Sequence, residues 1–171
     1  DCVLGRGTKS YYTINSAKSY RKGERLMERI KINEIYDAVK KVNRAYEIWA
    51  AKHGLTLYEM QIYYVIVENG GGAITQKDLC TQLDAPKTSI NSIIKKQLKT
   101  NRIEMSVNPL NKREKVITLT KEGEKFANNL VLPLFEYENE IVSKIDEKEL
   151  EIAVKVENDF ANGLIEKVND E

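Results

Sequence analysis

The chain has 171 residues and sets 27 Lys/Arg against 26 Asp/Glu, a net charge of +1. That length allows one domain with a real core, and the near-neutral balance excludes a chain that is polycationic as a whole. Two cysteines, Cys2 and Cys80, exclude a disulfide framework. No apolar run reaches transmembrane length, and the start, Asp1–Gly7, is too polar for a signal peptide, so a cytoplasmic protein with no membrane partner is expected.

Residues 1–26 are polar, rich in Tyr, Ser, Lys and Arg, and carry no sustained hydrophobic period. Met27 then opens a segment that resembles a natural start. Residues 1–26 are therefore expected to be a flexible arm, or sequence foreign to the native protein, ahead of a single domain at 27–171. From 33 to 53, Ile35, Val39, Val42, Tyr46 and Trp49 recur at spacings of four, three, four and three. This is one apolar stripe on a helix, and Gly54 can stop it. Thr56–Leu57–Tyr58–Glu59 has the form of a capping box and opens a second helix to about Asn69. That helix is apolar nearly all round, so it should be central.

Thr75 can cap a short helix, Thr75–Leu83, with Leu79, Cys80 and Leu83 turned inward. A tight turn at Asp84–Ala85 leads to Pro86, which suits the first turn of the next helix, Pro86–Thr100. Ile90, Ile93, Ile94 and Leu98 form its inward side. Lys87, Thr88, Asn91, Ser92 and Lys95 form its outward side, with Ser89 beside them. Asn101 can end it in a left-handed conformation. Two strands follow, Ile103–Val107 and Val116–Leu119, joined by a tip carrying Lys112, Arg113 and Lys115. Thr120 can cap a long helix to about Lys144, which Pro133 should kink or divide. Asp146 opens a last helix bearing Leu150, Val154, Phe160, Leu164 and Ile165.

Helix, turn, helix and basic hairpin form a winged helix-turn-helix, spanning about 56–120, and this arrangement enters DNA grooves. The fold class expected is mainly α with a small β-hairpin wing, carrying additional N- and C-terminal helices at about 33–53 and 121–169. Their apolar stripes either enlarge a monomeric core or, as is expected here, pack against the same helices of a second copy across a twofold axis. The charge distribution agrees. Residues 86–121 hold nine Lys/Arg against two acids, a local net charge of +7, whereas residues 122–171 are at −9. Local sign governs an encounter with phosphate, because screening acts within about 8 Å at physiological salt.

The residue types on the second helix suit groove reading. Thr88, Ser89, Asn91 and Ser92 are short enough for close approach, and Asn can pair with adenine through two hydrogen bonds. Lys95, Lys96 and Lys99 can reach flanking phosphates. Arg113 at the hairpin tip suits a narrow minor groove. No nucleophile–base constellation, phosphate-binding loop or metal-ligand cluster is visible, so neither an enzyme nor a cofactor is expected.

The run Asn108–Pro109–Leu110–Asn111–Lys112–Arg113–Glu114–Lys115–Val116–Ile117–Thr118–Leu119–Thr120–Lys121–Glu122–Gly123 resembles the wing signature of the MarR family of bacterial transcriptional regulators. Residues 33–169 follow that family's helix order. The resemblance implies a homodimer on double-stranded DNA with a pseudo-palindromic, inverted-repeat operator, and action as a repressor responsive to a small molecule. It implies major-groove contacts from Lys87, Thr88, Ser89, Asn91, Ser92 and Lys95, and minor-groove entry by Arg113. The family commonly has aspartate where Asn111 stands, bracing the wing arginine by an ion pair, so a weaker brace is expected. Asn101–Arg102 also replaces a common Gly-Leu. Many members bind small aromatic or lipophilic effectors, for which Tyr36, Tyr46, Trp49, Tyr58, Tyr63 and Tyr64 are candidates, or else core aromatics. His53, the only histidine, excludes a multi-histidine metal site within one chain. The alternative function is a winged-helix protein-interaction module that binds an acidic partner instead of DNA.

Overall fold

The computed structural model describes residues 24–109 and 111–170, with side chains from residue 31 onward. The expected N-terminal extension, 1–26, therefore lies almost wholly outside the described residues, as does Leu110 at the hairpin tip. The chain runs α1 (Glu24–Lys52), α2 (Leu57–Glu68), β1 (Ile74–Thr75), α3 (Gln76–Gln82), α4 (Lys87–Leu98), β2 (Ile103–Val107), β3 (Lys115–Leu119), α5 (Lys121–Val142) and α6 (Glu147–Asn169). The described chain divides into two units between Ile48 and Trp49. No helix among the described residues is long and apolar enough to cross a membrane.

In the first unit, α1 carries the expected stripe. Ile35 and Tyr46 are half-buried, while Val39 and Val42 stay exposed. Two exposed i,i+3 ion pairs, Lys40–Asp37 and Arg44–Glu47, each at 3.0 Å, occupy its polar sides. Pairs of this kind contribute little.

The second unit is built around α2. The capping box forms as its sequence implies. The Glu59 N–H donates to Thr56 Oγ1 at 3.3 Å, and the Thr56 N–H donates to Glu59 Oε2 at 2.8 Å. Met60, Ile62, Tyr63, Val65 and Ile66 are buried, so the helix has apolar contacts on nearly every side. Helices α3 and α5 pack on it, and α4 packs on α3 and β2. Leu79, Ile90, Ile94, Ile117, Leu130 and Val131 complete the core. Helix α3 ends in a Schellman motif, with Asp84 at φ 43 and the Ala85 N–H donating to the Cys80 carbonyl at 3.0 Å. An aspartate holds this left-handed position because its short polar side chain tolerates it. Leu83 and Cys80 are half-buried, and only Leu79 of the expected inward trio is buried.

The sheet has three antiparallel strands in the order β1-β3-β2, one more than the expected hairpin. Ile103 pairs with Leu119 and Val107 with Lys115, while Ile74 pairs with Ile117 and Thr75 with Val116. Two residues have no hydrophobic period of their own. Strand β1 exists because β3 offers its second edge to Ile74, which is buried there.

Helix α5 runs through Pro133 without being divided. The missing N–H of proline leaves the Asn129 carbonyl without its helical donor. One residue on, the Leu130 carbonyl accepts the indole N–H of Trp49 at 3.0 Å. Helix α6 is capped by Asp146 and buries none of its described residues.

The wing and α5 meet at a tight junction. Asn101 adopts φ 57 and ends the turn after α4. The Thr120 hydroxyl donates to the Asn101 carbonyl at 2.8 Å and accepts the Gly123 N–H at 3.0 Å, while the Thr120 N–H donates to the Arg102 carbonyl at 3.1 Å. A Cβ on Gly123 would stand 1.7 Å from the Arg102 carbonyl oxygen, which explains the glycine three residues after Thr120. Gly123→Ala is expected to destabilise the protein by about 1–3 kcal/mol, the cost of forcing an extra carbon into a packed site. Urea unfolding of the two proteins measures this, and an unchanged midpoint contradicts it.

Candidate nucleic-acid interface

Helix α4 presents two chemically different sides. Ile90, Ile94 and Gln97 are buried, with Ile93 and Leu98 half-buried. Lys87, Thr88, Ser89, Asn91, Ser92 and Lys95 are all exposed. Pro86 stands at the N-cap, one position before the expected first helical turn, and no side chain caps the helix. The Thr88 and Ser89 hydroxyls are therefore not spent on capping. Gln76, at the start of α3, donates its side-chain N–H to the Lys87 carbonyl at 3.3 Å and links the two helices.

Around the hairpin tip the described residues are tied by backbone hydrogen bonds and by the side chains of Asn108 and Asn111, the Asn108 amide donating to Glu114 Oε2 at 3.5 Å. The Asn108 N–H donates to the Glu114 carbonyl at 2.9 Å, the Asn111 N–H to the Asn108 carbonyl at 3.2 Å, and the Glu114 N–H to the Asn111 carbonyl at 2.9 Å. Asn111 Oδ1 accepts the backbone N–H of Arg113 at 3.2 Å. Asparagine thus braces the backbone of the wing arginine instead of its guanidinium. Lys112, Arg113 and Lys115 are exposed.

Two of the nine cations between 86 and 121 are committed to the protein itself. Lys96 Nζ lies 2.6 Å from Glu59 Oε1. The Arg102 guanidinium lies 3.5 Å above the centre of the Phe126 ring, a cation–π contact. Glu59 and Gln97 are the two buried polar residues among those described, at 2 % and 1 % exposure. Gln97 donates its side-chain N–H to Glu59 Oε1 at 3.1 Å and accepts the Tyr63 hydroxyl at 2.7 Å. Among the described residues every buried side-chain N or O has a partner. In the sequence Glu59 reads as a cap residue and Gln97 carries no pattern of its own, so the cluster shows only in the fold. The spacing of 90, 94 and 97 on the inward side of α4 was the available signal.

Burial alone would raise the Glu59 pKa, but hydrogen bonds from Lys96 and Thr56 outweigh it and hold the carboxyl below its ordinary value of 4.5. Burial pushes the Tyr63 phenol up, with the neighbouring Arg102 offsetting part of the effect.

The aromatic residues considered for an effector lie at different depths. Tyr36 and Tyr58 are exposed, Tyr46, Trp49 and Tyr64 half-buried, and Tyr63 fully buried with its ring against Phe126 at 5.2 Å. Trp49 stacks obliquely on His53 and meets Tyr137 edge-on, at 4.6 and 5.6 Å between ring centres. An open recess of about 220 Å³ is lined by Val67, Gly70, Gly71, Leu119, Glu124 and Asn128, and none of the aromatic candidates borders it. Among the described residues no three His, Cys, Asp or Glu side chains gather as metal ligands.

No protein-family model and no curated protein matches this sequence. Solved structures do match. A MarR family regulator from Neisseria meningitidis aligns with a TM-score of 0.68 at 15% identity, over 82% of this chain and 97% of that one. The fold is that of the MarR regulators. The DNA complex of Staphylococcus aureus MepR aligns at 0.61, with 17% identity over 77% of this chain and 96% of that one. Staphylococcus aureus MarR in complex with salicylate and kanamycin aligns at 0.62, with 17% identity over 82% and 94%. In MarR-fold terms, α3 and α4 are the helix-turn-helix, and β2, β3 and their tip are the wing.

Because its folded-state pKa is depressed, ionised Glu59 adds stability above the ordinary carboxyl range, and that increment fades as pH falls through the lowered value. The stability gap between the native protein and Glu59→Gln is therefore expected to narrow between pH 6 and pH 3. Parallel urea titrations across that range test it, and a gap independent of pH contradicts it.

Proposed function

We propose that this chain is a dimeric, sequence-specific DNA-binding transcription regulator of the MarR type, without enzymatic activity. The observation that carries the reading is the outward side of α4. It combines uncommitted short polar groups with Lys87 and Lys95, on a fold whose MepR neighbour was solved on DNA. Short side chains at the front of the helix allow approach to base edges, and the cations meet flanking phosphates. Lys112, Arg113 and Lys115 extend the contact into the adjacent minor groove.

Dimerisation follows from apolar surface left over within one chain. On α6, Ile152, Val154, Leu164, Ile165 and Val168 are each more than 40% exposed. A helix that buries nothing of its own needs another surface to cover such residues, and a second copy supplies one with twofold symmetry. The two reading heads would then meet half-sites about 34–36 Å apart, one turn of the duplex. Occupying such an operator blocks transcription, and an effector that biases the spacing of the heads relieves the block. A small aromatic compound is the ligand class this reading favours, with Trp49 and Tyr58 of the second unit as candidate contacts. The full burial of Tyr63 makes it a wall at most.

Selection from a random DNA pool is expected to return inverted repeats with that half-site spacing, bound by a species that sediments as a dimer. A monomer without preference for inverted repeats overturns the reading. Arg113→Ala is expected to weaken operator binding about tenfold without lowering thermal stability, and full affinity at moderate salt excludes the wing contact. Salicylate is the first effector probe. Quenching of Trp49, the only tryptophan, together with weakened operator binding supports an aromatic effector, and no change in either excludes this compound.

A further inference from the structure

The cations of the reading helix are not equivalent, and the reason lies in how one carboxylate is shared. Glu59 Oε2 accepts the Thr56 N–H at 2.8 Å and the Thr56 hydroxyl at 3.1 Å, closing the cap of its own helix. Its other oxygen, Oε1, faces α4, where it takes the Gln97 side-chain N–H at 3.1 Å and Lys96 Nζ at 2.6 Å. Gln97 is in turn held by the Tyr63 hydroxyl at 2.7 Å. Only a group that accepts at both ends can do this. A glutamine at 59 has a single acceptor oxygen, so it cannot close the cap and also accept from both Gln97 and Lys96. An aspartate is one methylene shorter and cannot span both.

We propose that Glu59 is the positioning residue of the DNA-reading helix. Its divided carboxylate fixes the attitude of Lys87–Leu98 through Gln97, and it withdraws Lys96 from the cations that meet phosphate. The proposal rests on the DNA-binding reading above and adds which groups set its geometry and its ionic footprint. Lys96 keeps most of its side chain in solvent, so exposure and charge alone would count it among the phosphate ligands. Its ammonium is instead spent on a carboxylate buried beneath the helix, where an unpaired charge would be costly. Lys95, one residue earlier, is exposed and remains available.

The test compares the native protein, Glu59→Gln, Lys96→Met, Gln97→Met and Lys95→Met on an inverted-repeat duplex selected from a random pool, as affinity against salt and as the ratio of specific to non-specific binding. Each phosphate contact adds about −0.9 to the slope of log affinity against log salt. Lys95→Met is expected to lose that increment and Lys96→Met to keep the native slope. Glu59→Gln is expected to bind the operator about tenfold more weakly with a reduced specificity ratio, and with a slope no shallower than native, since it removes no phosphate contact. Its effect should be non-additive with that of Lys96→Met. A Lys96→Met slope as shallow as that of Lys95→Met overturns the proposal, as does native affinity and specificity in Glu59→Gln. If Glu59→Gln fails to fold, the Lys96→Met slope and the specificity ratio of Gln97→Met decide by the same criteria. A native protein that binds no DNA overturns the functional reading itself. A native protein that binds while Glu59→Gln and Gln97→Met behave as native overturns only the role of Glu59.

Discussion

A helix that is apolar on nearly every side has to be enclosed, and α2 imposes that requirement on its surroundings. Tyr63, Ile62 and Ile66 have no measurable exposure, and Met60 almost none. Helices α3 and α5 pack against α2 because its hydrophobic surface extends around most of its circumference, and burial of such surface is the main favourable term in folding. Helix α4 is placed from the same centre. Ile90 and Ile94 are drawn inward, and the polar link from Glu59 to Gln97 fixes the rotation and slide that apolar contacts leave loose. The outward side of α4 is thus defined by what its inward side is fastened to.

Much of this was legible in the chain because the informative signals were local. Thr56, Thr75 and Thr120 all cap helices with their side chains where the sequence places a cap. Asn101 takes the left-handed conformation that a helix end demands. Residues 87, 88, 91, 92 and 95 share a helical side by spacing alone, and all are exposed. What stayed hidden depended on partners distant in the chain. Strand β1 is two residues long and is defined by its register with Val116 and Ile117. Glu59 and Gln97 are charged or polar residues in the interior, and their satisfaction comes from each other across 38 residues. Arg102 and Lys96 add to the local charge but serve Phe126 and Glu59.

Two asparagines that depart from the pattern this sequence resembles have visible accommodations. Asn111 supplies an acceptor to the Arg113 backbone, so the tip keeps an ordered path while the guanidinium is left uncommitted by that residue. Asn101 occupies the turn where glycine is common, and the Thr120 hydroxyl fastens its carbonyl from the start of the next helix. In both cases an amide-bearing side chain replaces a residue of different chemistry, and the backbone retains its route.

The contact between Gly123 and the Arg102 carbonyl leaves no room for even one additional carbon. With Thr120 bonded to both Asn101 and Arg102, the first turn of α5 and the root of β2 have no play between them. The start of α5 therefore carries the root of the hairpin with it, as the two leaves of a riveted joint move together.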